Sequence, residues 1–158
     1  VTALVVNALR GTLLQASGQV ALKAVVVDES TNRTYSTIRP DIVITDSVSG
    51  RRVPIDIKYK LYGSKKLVPG DVYQLFTYAY ALGSAPDSST AGLIYPADST
   101  SSGPDLRITP MTNVTSAQIH AEGLNVTAVL DDLAVGSAGA VNTLIRYMIQ
   151  RLSRLAVA

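Results

Sequence analysis

The chain contains no cysteine. That single absence removes disulfides, thiolate metal sites and cysteine nucleophiles together. It has one histidine, His120, so a histidine-rich metal centre is excluded and any Ser-His-Asp triad would have to use that residue. No apolar run reaches the roughly 18 to 20 residues of a membrane span. No charged leader with a short apolar core opens the chain either, and the expectation is a cytoplasmic protein with no membrane partner. Neither sign of charge is in large excess either. The net charge is +2 over 158 residues, too little to announce a nucleic-acid binder by bulk charge. There is no Gly-x-x-x-x-Gly-Lys-Ser/Thr phosphate-binding loop.

What is present describes a folded chain. Apolar residues make up 47% and charged residues 16%, a globular composition of a length that suits one domain. The chain starts at Val1 without Met and already in helical rhythm, which points to a single domain, residues 1–158, forming the C-terminal part of a longer protein. Asn32, Asn113 and Asn125 each open an Asn-x-Thr triplet, a pattern common by chance.

Hydrophobic spacing predicts a helix from Val1 to about Leu14, broken near Gly11 or ending by Gly18. A Val-rich strand follows at Val20 to Asp28, and the chain returns at Thr34 to Ile38. Asp41 to Asp46 and Arg52 to Tyr59 alternate as a hairpin. After a loop from Lys65 to Gly70, a helix runs from Asp71 to Leu82, with Asp71 as N-cap and Gly83 as stop. "AGLIYP" is a short buried strand and "DSTSSGPD" a polar loop. Leu106 to Thr109 and Ala117 to Ala121 suit two more strands, and Asp131-Asp132 heads a short helical turn. Ala140 to Ala156 is a final amphipathic helix with Leu144, Ile145, Met148, Leu152 and Leu155 on its apolar side. The order suggests an α/β fold, a mixed sheet flanked by helices.

The hairpin "RPDIVITDSVSGRRVPIDIKYK" carries the chemistry. With Ser47 to Gly50 as a four-residue loop, Asp46 pairs with Arg51, Ile44 faces Val53, Ile42 faces Ile55 and Asp41 faces Asp56. Opposed residues share a face at about 4.5 to 5.5 Å between Cβ atoms. Ile42, Ile44, Val53, Ile55 and Ile57 then form one apolar face, while Asp41, Asp56 and Lys58 gather on the other. Opposed carboxylates repel, and a proton, Lys58 or a divalent cation would relieve them. Mg²⁺ takes one or two carboxylates and completes its shell with waters and phosphate oxygens. Lys58 would then orient an attacking water or offset charge developing on a phosphate. A surface ion pair of Lys58 with Asp56, worth at most about 1 kcal/mol, is the plain alternative.

Pro40-Asp41 and Asp56-Ile57-Lys58 resemble the PD-(D/E)xK nuclease signature. "QLFTY" on the next helix is similar to the Gln-x-x-x-Tyr motif of RecB-like nucleases; Gln74 and Tyr78, four apart, share a helix face with Asp71 one turn earlier. A solvated Gln and a half-buried Tyr on an amphipathic helix would look the same. "RPDIVI", "IDIKYK", "DVYQLFTYAYAL" and "GLIYP", taken in order from Arg39 to Pro96, resemble the nuclease domain of the McrC family. That family supplies the cleavage subunit of McrBC modification-dependent restriction systems.

The resemblance implies a restriction-endonuclease-like core and Mg²⁺-dependent hydrolysis of DNA, with Mn²⁺ able to substitute. Asp41, Asp56 and the carbonyl of Ile57 would hold metal, Lys58 would position water, and Gln74 and Tyr78 would shape the substrate side. Modified duplex DNA and an McrB-like GTP-hydrolysing AAA+ ring are the implied partners. Lys60, Lys65-Lys66, Arg51-Arg52, Arg146, Arg151 and Arg154 could touch phosphates, though each is more often just a solvated charge. His120 reads as a sheet residue. The family places an acidic residue ahead of the first strand, whereas this chain has none before Asp28; the residue either preceded Val1 or was lost. Two other readings are a RecB-like exonuclease domain acting with a helicase, and a catalytically inactive nuclease-fold scaffold.

Overall fold

The computed structural model describes residues 1–10, 12–62, 66–83, 89–109 and 117–153. Helix α1 (Thr2–Ala8) leads into β1 (Leu14–Gly18). Strands β2 (Leu22–Asp28), β3 (Arg33–Ile38), β4 (Ile42–Asp46) and β5 (Arg52–Ile57) follow. Then come α2 (Pro69–Leu82), β6 (Ser89–Ala97), β7 (Ser101–Ile108), β8 (Ala117–Asn125), α3 (Val126–Ala134) and α4 (Gly139–Ser153). Six strands form one mixed sheet in the order β1-β4-β5-β6-β8-β7, and β2 and β3 pair as a separate antiparallel ribbon. The two contacts of β6, with β5 and with β8, are parallel, and the other pairings of the large sheet are antiparallel.

Alternation along the strands divides the apolar residues between two faces. Ile42, Ile44, Ile55, Ile94 and Leu124 pack with Val5 and Leu9 of α1, Val129 of α3, and Val141, Leu144, Ile145 and Met148 of α4. Leu93, Tyr95, Ile119 and Ala121 pack with Leu75 and Ala79 of α2 and with Tyr62 and Leu67 ahead of it. Helices therefore cover both sides of the expected mixed sheet. No helix among the described residues is long and apolar enough to cross a membrane.

The hairpin register matches the sequence expectation: Ile42 pairs with Ile55 and Ile44 with Val53. The Asp46 N–H reaches the Arg51 carbonyl at 2.9 Å, and the Asp46 carboxylate accepts from Val48 N–H and Ser49 Oγ, closing the four-residue turn. Gly50 ends that turn at φ +70°, a region that glycine enters at little cost.

Four expectations need correction. The helix from Val1 stops at Ala8, and Leu14–Gly18 is an edge strand on β4. Its five residues lack β-branched side chains, so intrinsic strand preference is weak and pairing with β4 decides its state. The polar stretch read as a loop forms the first half of β7, with a break in register between Ser102 and Asp105. The turn placed at Asp131-Asp132 belongs to α3, which begins five residues earlier, where Asn125 Oδ1 caps Ala128 N–H at 3.0 Å. Asp71 is not an N-cap: α2 starts at Pro69 after Val68, with no side-chain cap. Gly83 does end that helix, its N–H bonding Ala79 O. In the last helix Leu144, Ile145 and Met148 are buried as expected. Lys65, Asn113, Arg154 and Leu155, and the side chains of Arg151 and Leu152, lie outside the described residues.

Candidate active site

β5 and α2 build the site on the α2 side of the sheet. In β5 the even positions alternate away from the Ile55 core, so Asp56 points toward α2 while the sheet buries it to 4% exposure. Lys58, two residues on, follows the same direction, and its N–H continues the ladder to Ile94 O. Its ammonium lies 2.7 Å from Asp56 Oδ2 and donates to Gln74 Oε1 at 2.6 Å. Gln74 Nε2 donates in turn to the Tyr78 hydroxyl at 2.8 Å, which reaches the Arg39 carbonyl at 3.3 Å. A continuous polar chain thus runs from β5, along one face of α2, back to the segment that opens β4.

Asp41 closes the arrangement from the other strand. Its Oδ2 accepts the N–H of Ile57 at 2.8 Å, one residue beyond its sequence-expected position opposite Asp56. Its own carbonyl accepts from Gln19 N–H just past β1. The edge strand absent from the sequence expectation thus helps to hold the first carboxylate. The five candidate residues Asp41, Asp56, Lys58, Gln74 and Tyr78 come together, with the Ile57 peptide between the two carboxylates.

Asp71 joins them in a place that a helix cap would not occupy. It is 6% exposed, accepts from the Tyr62 hydroxyl and, at 3.0 Å, from Lys60, and lies 3.5 Å from the Lys58 ammonium. A sequence signal for this was present. Asp56, Lys58, Lys60 and Tyr62 alternate at period two beyond the end of β5, and Asp71 precedes Gln74 by one helical turn.

The electrostatics follow from burial and neighbours. Burial pushes the Asp56 carboxyl up; Lys58 pulls the other way, and the charges of Asp41 and Asp71 add to the rise. Burial draws the Lys58 ammonium down, but Asp56 and Asp71 outweigh it and leave it above its usual value. For Asp71 burial again favours the neutral acid, yet Tyr62, Lys60 and Lys58 overcome it and hold the carboxyl below the usual range. Burial raises the Tyr78 phenol, so it stays protonated as a donor.

The donor set suits Mg²⁺. Among the described residues no group of three or more His, Cys, Asp or Glu side chains is placed to hold a metal ion. A pair of carboxylates, one of them made costly to ionise by burial and by its like-charged neighbours, is what an oxygen-preferring ion that keeps waters and substrate oxygens can use. Asp41 has Oδ1 outside its bond to Ile57. The acidic residue expected ahead of the first strand is absent from α1, whose sequence is TALVVNA. His120 is a sheet residue, as expected. It sits in β8 in the row of Gly92 and Ile55, with Nδ1 2.8 Å from Asp105. Of the surface cations, Arg51 turns inward to Thr90 Oγ1 at 3.0 Å, whereas Arg52, Lys66 and Arg146 are exposed.

Comparison with known proteins agrees with this architecture. A family model described as McrBC 5-methylcytosine restriction system component matches residues 3–96. No curated protein matches the chain by sequence. Among solved structures, a chain of the "Refined half-complex from tetradecameric assembly of Thermococcus gammatolerans McrB AAA+ hexamers with bound McrC" superposes with a TM-score of 0.58 at 11% identity. The match covers 92% of this chain and 31% of that one. At that identity the likeness speaks for the fold.

Proposed function

The chain belongs to the McrBC 5-methylcytosine restriction system component family, and from that premise we propose that it is the system's DNA-cutting subunit, a Mg²⁺-dependent endonuclease. The supporting observation is the polar run in which Lys58 is ion-paired to Asp56 and hydrogen-bonded through Gln74 to Tyr78, with Asp41 tied to the same strand. A solvated surface pair would not place an amide between the ammonium and a buried phenol.

Asp41, Asp56 and the carbonyl of Ile57 would hold the ion, with Mn²⁺ as a substitute for Mg²⁺. When bound, it would supply Lewis-acid polarisation of the scissile phosphate and a lowered pKa for water at the site. Lys58 donates a hydrogen bond to the attacking water and offsets negative charge gathering on phosphate oxygens. Its three donors suffice for this while Asp56 and Gln74 each take one. Gln74 keeps the ammonium from closing fully onto Asp56, and Tyr78 keeps Gln74 from turning its amide. Duplex DNA, probed in its methylated form, is the substrate. An McrB-like AAA+ ring that hydrolyses GTP is the partner, in line with the bound McrB and McrC of the similar structure.

The test is cleavage of circular methylated DNA by the full-length protein with partner, GTP and Mg²⁺. Wild type should cut and Asp56→Ala and Lys58→Ala should not, with unchanged circular dichroism. Cutting only of linear ends, independent of partner, would favour the helicase-associated exonuclease reading. Cleavage absent in wild type would favour the inactive scaffold.

A further inference from the structure

Asp71 and Tyr62 are buried polar groups that the proposed reaction does not use, and both turn toward one exposed cation. Lys60 Nζ donates to Asp71 Oδ2 at 3.0 Å, yet the Lys60 side chain remains 56% exposed while that of Asp71 is 8% exposed. The lysine is therefore tethered at its tip and open along its length. Tyr62 fixes the tether: its hydroxyl donates to the same Oδ2, and its ring packs edge-on against Tyr95, centroids 5.6 Å apart. Asp71 also faces Lys58 at 3.5 Å. The two ammonium groups thus share one carboxylate, Lys58 inside the site and Lys60 at its rim.

We propose that Lys60 is a substrate-binding residue that grips a DNA phosphate neighbouring the one being cut, and that Asp71 and Tyr62 are the positioning residues that seat it. An ammonium carries three donors, so the bond to Asp71 leaves donors for a phosphate. A lysine already ordered by a buried carboxylate loses less side-chain freedom on binding than a free one. α2 offers no opposing charge, since its only charged residue is the buried Asp71. This inference rests on the nuclease reading.

The sign of one substitution separates seating from bulk charge. Asp71→Asn removes a negative charge beside the site, so bulk electrostatics alone would tighten DNA binding. Loss of the seat weakens it instead. The experiment measures binding of a labelled methylated duplex to the full-length protein with its partner, in metal-free buffer so that nothing is cut, as log K against log salt. Lys60→Met should make the slope shallower by about 1 and weaken binding equally for all sequences; in the cleavage assay it should raise KM with kcat unchanged. Tyr62→Phe, which alters no charge, should move both in the same direction by less. Arg10→Gln, exposed in the turn just past α1, should leave slope and KM at wild-type values. Should Asp71→Asn fail to fold, Lys60→Met and Tyr62→Phe still decide the matter. A wild type that cuts while Lys60→Met keeps both slope and KM overturns this inference alone, as does tighter binding by Asp71→Asn or an equal loss with Arg10→Gln. A wild type that cuts nothing overturns the nuclease reading and this inference with it.

Discussion

Gln74→Ala removes the one side chain that ties the ammonium to the phenol. Gln74 Oε1 accepts from Lys58 at 2.6 Å and Nε2 donates to Tyr78 at 2.8 Å. A bond to a charged group nets about 1.5 to 3 kcal/mol and a neutral one about 0.5 to 1.5 kcal/mol, less what water recovers. The Lys58 side chain keeps 20% exposure, so water replaces part of the first bond, and a loss of about 2 kcal/mol is expected. Helix propensity is not the cause, because alanine is the better helix former. Tyr78→Phe keeps the ring and loses the hydroxyl, at a cost of about 1 kcal/mol. Because the Gln74–Tyr78 bond is lost in both single variants, the double variant should cost about 0.5 to 1 kcal/mol less than their sum. Urea unfolding of the four proteins measures this, and kcat of Gln74→Ala, at a temperature where it is fully folded, should fall with Lys58 misplaced. Additive costs, or a Gln74→Ala protein within about 0.5 kcal/mol of wild type that cuts at the wild-type rate, would show that the polar chain does not act as a unit.

Asp56 and Asp71 should give opposite pH trends. The folded-state carboxyl of Asp56 lies above its ordinary 3.8, so the folded chain holds that proton longer than the unfolded one and stability falls as pH rises from 3.8 through the folded value. Asp56→Asn should lack that decline in unfolding measured from pH 3 to 7. Asp71 lies below 3.8, so its contribution is present above 3.8 and disappears as pH falls through the folded value; Asp71→Asn should narrow its deficit to wild type on acidification. A Cβ at Gly103 would stand 2.8 Å from the Ala121 carbonyl oxygen, so Gly103→Ala must displace β7 from β8 and should cost about 1 to 3 kcal/mol by thermal unfolding. Mg²⁺ should raise the melting temperature of wild type and not that of Asp56→Ala, read by differential scanning fluorimetry.

The parts of the fold legible in the sequence were those where apolar alternation and turn chemistry agreed. Between Ile42 and Ile57 five apolar positions and a short loop leave one workable register, because a slip of one residue would turn every isoleucine to the other side. The site inherited that legibility, since Asp56 and Lys58 ride on the same strand and Gln74 and Tyr78 on one helix face. Less visible were elements decided by distant partners. Leu14–Gly18 becomes a strand because β4 offers it an edge, and Ser101–Asp105 because β8 does. Asn125 resembled a glycosylation acceptor but caps α3. Asp71 looked like a cap by its position after Pro-Gly, and only the packing of Tyr62 and the two lysines around it turns it inward. Local spacing carries direction along one element and says little about which element arrives opposite.

The most direct test of the central claim is partner-dependent cleavage of circular methylated DNA in the presence of GTP and Mg²⁺, comparing wild type with Asp56→Ala and Lys58→Ala. Cutting by wild type, lost on chelation and lost in both variants while their unfolding midpoints stay in the folded range, is the predicted result. Near-normal cleavage by either variant would contradict it.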